Sequence, residues 1–413
     1  MIRILNVNKV DGSKGELCLL SEEDSYEIDG QGLLMLPAFI DPHVHFRIPG
    51  ASHKEDWITG SYAALLGGVT TVFDMPNNTP NCTTLSAFKE KEVLIQKQLD
   101  QGGIPLRFHL YFGATKDNLK EIPKVKDHVI AIKVFMGSST GDLLVDDDKT
   151  LEAIFKMAKD LDLLVALHAE DEKIISKNKL IYQNETDPSI HSKIRNREAA
   201  KAAVTKAIEL TSKYGTRTSI LHLSTEDEIS LVKQAKKQGL PVFAEATPHH
   251  LFLTQESYKK FGNKVKVNPP LREDKDQEAL WKGIQEGVID YIGTDHAPHT
   301  LSEKSLNYKE APAGIPSIEL LLPLLLTAVD QGKIDLETLV KLTRTNIEKI
   351  FRLKEQTDFI LVDLASSKKF KDEELKTKCQ WSPYSDQMLK GRVAYVFIQN
   401  KLFHMDKLAL CPS

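Results

Sequence analysis

From residue 39 onward, short β-branched runs alternate with longer stretches of helical periodicity, and this alternation constrains the fold more than any other feature of the chain. Eight such runs can be counted, at 39–45, 69–75, 108–112, 129–136, 163–169, 218–223, 242–247 and 291–295. Between them lie amphipathic segments such as 151–160, 198–214 and 226–238, with apolar residues near helical spacing. Two further helices are expected at 316–331 and 335–351. Eight strands that each lead into a helix predict an α/β fold, a closed TIM (β/α)8 barrel over residues 39–352.

The two ends of the chain break this rhythm. Residues 2–35 carry short strand-like runs and the turn-prone pair Asp11-Gly12, while the tail supplies β-rich runs at 358–364 and 392–398. Residues 1–38 and 353–413 are therefore expected to assemble from both termini into one small β-sandwich domain flanking the barrel. No repeat of 20 to 50 residues and no low-complexity linker is visible.

Composition narrows the class of function. The chain has 413 residues, 41% hydrophobic and 27% charged, ample material for a core. Its 54 Lys and Arg against 58 Asp and Glu leave a net charge of −4, without a basic block for nucleic acid. Cys18, Cys82, Cys379 and Cys411 are widely spaced and suggest neither a zinc ribbon nor a disulfide framework. They read as reduced thiols in a cytoplasmic protein. The polar N-terminus does not resemble a signal sequence, and no run of ~18 apolar residues predicts a membrane span. Cys411 is third from the end and cannot form a prenylation box.

In a barrel of this kind the chemistry sits at the C-terminal ends of the strands. The first run ends in His43-Val44-His45, whose period of two points both imidazoles the same way. The fourth contains Lys133, the fifth ends at His168, the sixth at His222 and the eighth at Asp295. A lone strand histidine is more often a hydrogen-bonded core residue. Four imidazoles and a carboxylate converging from separate strands would be a costly cluster unless metal ions compensated their desolvation. An ammonium at Lys133 would be repelled by such ions and has no lone pair to offer. Lys133 either snorkels from its strand or reacts with carbon dioxide to give a carbamate anion able to bridge two metals.

At this point the chain resembles the dihydroorotases and their cyclic-amidohydrolase relatives in the amidohydrolase superfamily. The likeness runs through Asp41-Pro42-His43-Val44-His45-Phe46-Arg47, Asp74-Met75-Pro76-Asn77-Asn78, Ile132-Lys133-Val134-Phe135-Met136 and Leu167-His168-Ala169-Glu170. It continues in His222-Leu223-Ser224, Pro248-His249-His250-Leu251, Asn268-Pro269-Pro270-Leu271-Arg272 and Gly293-Thr294-Asp295-His296-Ala297-Pro298-His299. The resemblance implies that His43, His45 and Asp295 hold one divalent metal and His168 and His222 a second, zinc being expected for both. It places carboxylated Lys133 and a hydroxide between them. It also assigns carboxylate contacts to Asn77 and His299 and ring contacts to Asn268. Ile48 stands where many relatives have glutamate, and Asn346 lacks the proline that often follows it; neither touches a proposed ligand.

Two metals would activate the hydroxide, and Asp295 could take its proton and deliver it to the leaving ring nitrogen. Arg47, two residues after His45, either forms a structural salt bridge at the barrel top or, as its HxHxR setting favours, pairs with the carboxylate that distinguishes dihydroorotate from neutral cyclic amides. The expected reaction is the reversible interconversion of dihydroorotate and N-carbamoyl-aspartate in pyrimidine biosynthesis, by a homodimer with no nucleic-acid or membrane partner. A hydantoinase, dihydropyrimidinase or allantoinase, or an inactive partner protein on the same scaffold, are the alternatives. His109, His249, His250 and His296 are read as structural or supporting residues. The loop Gly137-Ser138-Ser139-Thr140-Gly141-Asp142 is read either as a substrate lid or as an ordinary turn.

Overall fold

The computed structural model describes residues 1–19, 26–139 and 142–408. Eight parallel strands pair in strict chain order. They are β1 (Phe39–Val44), β2 (Val69–Asp74), β3 (Arg107–Gly113), β4 (Ala131–Phe135), β5 (Val165–His168), β6 (Thr218–Ile220), β7 (Val242–Ala246) and β8 (Tyr291–Ile292). The ring closes between its first and last members by the bridge Val44↔His296 and by the amide of His45 donating to the His296 carbonyl at 2.9 Å. Side chains seal the same seam. The carboxylate of Asp41 accepts from the Thr294 amide at 2.9 Å and the Thr294 hydroxyl at 2.5 Å.

The strands are buried on both faces, which is why they read as near-continuous apolar runs. Their outer faces pack on the helices in the main core. Their inner faces meet in a second cluster that includes Ile40, Phe73, Tyr111, Ala166, Tyr291 and Phe351 and fills the barrel floor. Two of the flanking helices begin at side-chain caps: Asp56 accepts from the amides of Ile58 and Thr59 ahead of Trp57–Leu66, and Thr225 forms a capping box with Glu228 ahead of Glu226–Lys237.

The terminal segments form a second sheet of seven strands. Leu33–Pro37 pairs antiparallel with the tail strand Phe359–Lys369, so the sheet is spliced from both ends of the chain. Asp11-Gly12 makes the expected turn, with Gly12 at φ 79° and the Asp11 carboxylate accepting the Ser13 amide. Cys18, Cys82 and Cys379 are free thiols, while Cys411 lies outside the described residues. Among the described residues no helix is long and apolar enough to cross a membrane.

Four expected elements differ in detail. The sixth and eighth runs were expected to extend to 223 and 295, yet β6 ends at Ile220 and β8 at Ile292. His222 and Asp295 then adopt left-handed backbone, φ 40° and 46°, which turns their side chains into the barrel mouth. The helix expected at 316–331 starts as a tight turn, Ile318–Leu320, before the α-helix Leu321–Asp330. The one expected at 335–351 contains a wide π segment, Lys341–Thr345.

Candidate metal centre and active site

The mouth of the barrel collects the residues singled out in the sequence. His43 and His45 both direct Nε2 at the same oxygen, Oδ1 of Asp295, at 3.3 and 3.0 Å. The three ligand atoms all lie within 4.8 Å of one another. Across the mouth, His168 Nδ1 and His222 Nε2 face each other at 3.0 Å. Lys133 enters from β4, in register with Gly113 on one side and Ala166 on the other, and is 1% exposed.

Three of the four imidazoles are oriented from behind. His43 Nδ1 meets Glu245 Oε1 at 2.8 Å, and His45 Nδ1 meets the Asn77 side chain at 2.9 Å. His168 Nε2 meets Glu170 Oε2 at 2.9 Å, and Glu170 in turn accepts from Arg195 Nε at 2.9 Å. The Nδ1 of His222 has no hydrogen-bond partner among the described residues. Fixing one ring nitrogen in this way leaves the other as a lone-pair donor, the usual arrangement behind a metal-ligating histidine. The donor set therefore fits two divalent cations: imidazole and carboxylate suit zinc, and every inward-facing nitrogen is paired only with another potential ligand.

Electrostatics agree with that arrangement at Lys133, His45, His222 and Asp295, whereas at His43 burial acts downward but Glu245 and Asp295 outweigh it and raise the imidazole. Burial lowers the Lys133 ammonium to about 7, although Glu245 and Asp295 pull the other way. Burial also lowers His45 to about 4 and His222 well below its ordinary value, so both are neutral donors. For Asp295 burial acts upward, but His43, His45 and His222 outweigh it and hold the carboxyl well below the usual range.

A small cavity opens beside these groups, lined by His45, Arg47, Asn77, Asn268, Asp295 and the Ala313-Gly314 backbone, with Ser139 at its edge. Arg47, at φ 65° and 7% exposed, donates Nε to the Pro298 carbonyl at 3.1 Å and lies 3.1 Å from His299 Nε2. It forms no ion pair with a carboxylate among the described residues. His299 stands behind Arg47, held by Lys54 and the Ala313 carbonyl, and does not line the cavity. Asn268 does line it and is 2.8 Å from His191 Nε2. Of the candidate lid, Thr140 and Gly141 lie outside the described residues.

Of the four histidines read as structural or supporting, three have evident neighbours, whereas neither ring nitrogen of His249 has a hydrogen-bond partner among the described residues. His250 bonds Thr247 and the Pro269 carbonyl, His296 meets Glu55 at 3.3 Å, and His109 packs edge-on against Phe73. The sequence reading gave no role to Glu245, Glu170 or Arg195. A signal existed for Glu245: it is the one charged residue in the run Val242-Phe243-Ala244-Glu245-Ala246 and is completely buried.

The sequence of this site and its surroundings, residues 34–401, matches the model of the amidohydrolase family. The chain belongs to that family. Among its relatives is the dihydroorotase of Methanosarcina acetivorans, 35% identical over 375 residues that cover 86% of this chain and 79% of that one. The dihydroorotase of Carboxydothermus hydrogenoformans is 37% identical over 392 residues, covering 90% and 87%. Among solved structures, the L-hydantoinase (dihydropyrimidinase) from Arthrobacter aurescens superposes with a TM-score of 0.90 at 26% identity over 97% of this chain and 95% of that one. The chain is thus similar both to proteins named dihydroorotase and to one named L-hydantoinase.

Proposed function

We propose that this amidohydrolase is a dihydroorotase that interconverts dihydroorotate and N-carbamoyl-aspartate. The observation that carries this reading is Arg47: a buried guanidinium on the cavity wall that forms no ion pair with a carboxylate among the described residues, and whose desolvation Asp295, Asp74 and Glu303 offset only in part. Leaving a cation desolvated is costly unless a ligand supplies the anion, and the ring carboxylate of dihydroorotate is such an anion. Relatives named dihydroorotase at 35% and 37% identity support the same choice.

In this reading His43, His45 and Asp295 would hold one divalent cation, His168 and His222 the other, and carboxylated Lys133 would join them. When bound, the two cations, proposed to be zinc, supply Lewis acidity and make water nucleophilic at neutral pH. The lowered proton affinity of Lys133 makes its amine available to carbon dioxide, which adds to Nζ with loss of one proton to give the carbamate. Asp295, ionised and aimed between the HxH pair, takes the proton from the attacking water and returns it to the ring nitrogen as the amide bond breaks. Arg47, backed by His299, holds the substrate carboxylate with help from Asn77. Asn268 faces the ring.

The structural likeness to hydantoinases favours a second reading, the same chemistry on cyclic amides that lack the carboxylate. Rates on dihydroorotate, N-carbamoyl-aspartate, hydantoin, dihydrouracil and allantoin separate the two. The dihydroorotate pair should dominate. A preference for hydantoin or dihydrouracil would overturn the proposal.

A further inference from the structure

A second cavity, of about 390 Å³, opens on the same face of the barrel, between the excursions that follow β5, β7 and β8. Its walls include four basic side chains, Lys179, Arg195, Lys266 and Lys309, together with His191 and Tyr308, and no carboxylate among the described residues. This concentration of positive charge occurs on a chain whose net charge is −4.

Two of the four cations are partly balanced from behind, Arg195 by Glu170 and Lys179 by Glu172 at 3.6 Å. The other two are not. Lys266 is 8% exposed, with Nζ fixed by the carbonyls of Tyr308 and Ala311 at 2.6 Å each, and among the described residues Lys309 Nζ meets only the Gln183 carbonyl. Neutral carbonyls orient an ammonium but leave its charge in place.

The cavity shares a wall with the catalytic one. His191, on its lining, is hydrogen-bonded to Asn268, which lines the catalytic cavity, and Arg195 donates to the carbonyl of Ser138, one residue before Ser139 at that cavity's edge. The catalytic cavity itself is far smaller, so an anion arriving from solvent meets the larger cationic space beside it.

We propose that this cavity is an anion-capture site, which binds a small carboxylate or dicarboxylate of the N-carbamoyl-aspartate type and feeds it to the catalytic pocket. The proposal rests on the dihydroorotase reading for the identity of the anion. A focused positive field beside the catalytic cavity raises the local concentration of such a ligand, most strongly for the doubly charged acyclic form. Ionic strength should weaken the effect, because the charges at its rim are solvated.

The test neutralises the two exposed members together, Lys179→Gln/Lys309→Gln, and compares the intact protein with a control that removes the same charge far from the barrel mouth, Lys14→Gln/Lys401→Gln. At about 0.02 M salt the pocket variant should lose roughly threefold to tenfold in kcat/KM for N-carbamoyl-aspartate, more than for dihydroorotate. At about 0.5 M salt, where the Debye length is roughly 4 Å, the gap should close. A pocket variant that behaves like the control, or loses equally at high salt, overturns the capture site. Failure of the parent protein to turn over either substrate would instead sink the dihydroorotase reading, so the two failures are distinguishable.

Discussion

At the scale of single residues, Lys133 and Arg47 are buried bases whose neighbours give them different tasks. Lys133 is buried beside the imidazoles and burial lowers its proton affinity; on the proposed carbamate reading, Lys133→Ala should remove a bridging anion and with it most bound metal and activity. Metal content by elemental analysis, with rates measured alongside, checks this; full metal and a normal rate would exclude the carbamate. Arg47→Met should cost on the order of 2 to 5 kcal/mol in kcat/KM for dihydroorotate, the loss expected for one partner of a desolvated ion pair, with metals retained. Turnover of a neutral cyclic amide should hold or improve, since an uncompensated buried cation is gone. Equal losses on both substrates would show that Arg47 serves the fold. These residues were legible because HxH spacing, a lysine in a strand and an arginine two positions on are chemically odd there. Arg195 was not, since it reaches back 25 positions to Glu170 and 27 to His168 without a pattern.

At the scale of elements, the strands were readable from their apolar runs, but not the points at which the backbone leaves them. Nothing in 218–223 or 291–295 signals that His222 and Asp295 turn left-handed, because tertiary contacts and not local propensity hold that conformation. The loop after β2 shows how such contacts work. Lys91, on the helix Leu85–Gly102, is 1% exposed and reaches under the loop to Asp74 at 2.5 Å, the Met75 carbonyl at 2.8 Å and the Asn78 side chain at 2.7 Å. Asp74 also accepts the Phe46 amide at 2.7 Å, next to Arg47. Lys91→Met should therefore destabilise the protein by roughly 3 to 5 kcal/mol, by stranding a buried carboxylate, and should raise KM through Asn77 and Arg47. Lys91→Met/Asp74→Asn, which removes both charges, should recover part of the stability. Urea midpoints on the three proteins decide it, and a double variant no better than the single would refute the account.

At the scale of the whole molecule, the terminal segments do more than flank the barrel: the stretch before the last long strand docks onto its active face. Glu319 accepts the amides of Lys376 and Thr377, Glu55 accepts the Thr377 hydroxyl at 2.5 Å, and Trp381 Nε1 donates to the carbonyl of His299 at 2.7 Å. The strands at both ends were visible in the sequence because they depart from the βα rhythm. This docking was not, since it joins irregular segments up to 322 positions apart. Burial raises the Glu319 carboxyl to about 7, and nearby Glu55 adds to it, outweighing the donated amides. The folded value lies above the ordinary 4.5, so folding favours the protonated form. Its contribution to stability is full below about pH 4.5 and is lost as the pH rises through about 7, by about 3 kcal/mol at most. Glu319→Gln abolishes that titration while keeping the shape. The stability of the variant relative to the parent should therefore grow between about pH 5 and about pH 8, read as the difference between their urea midpoints across that range. A constant or shrinking difference would mean that Glu319 ionises as an exposed carboxylate does, and that the docked segment is indifferent to pH.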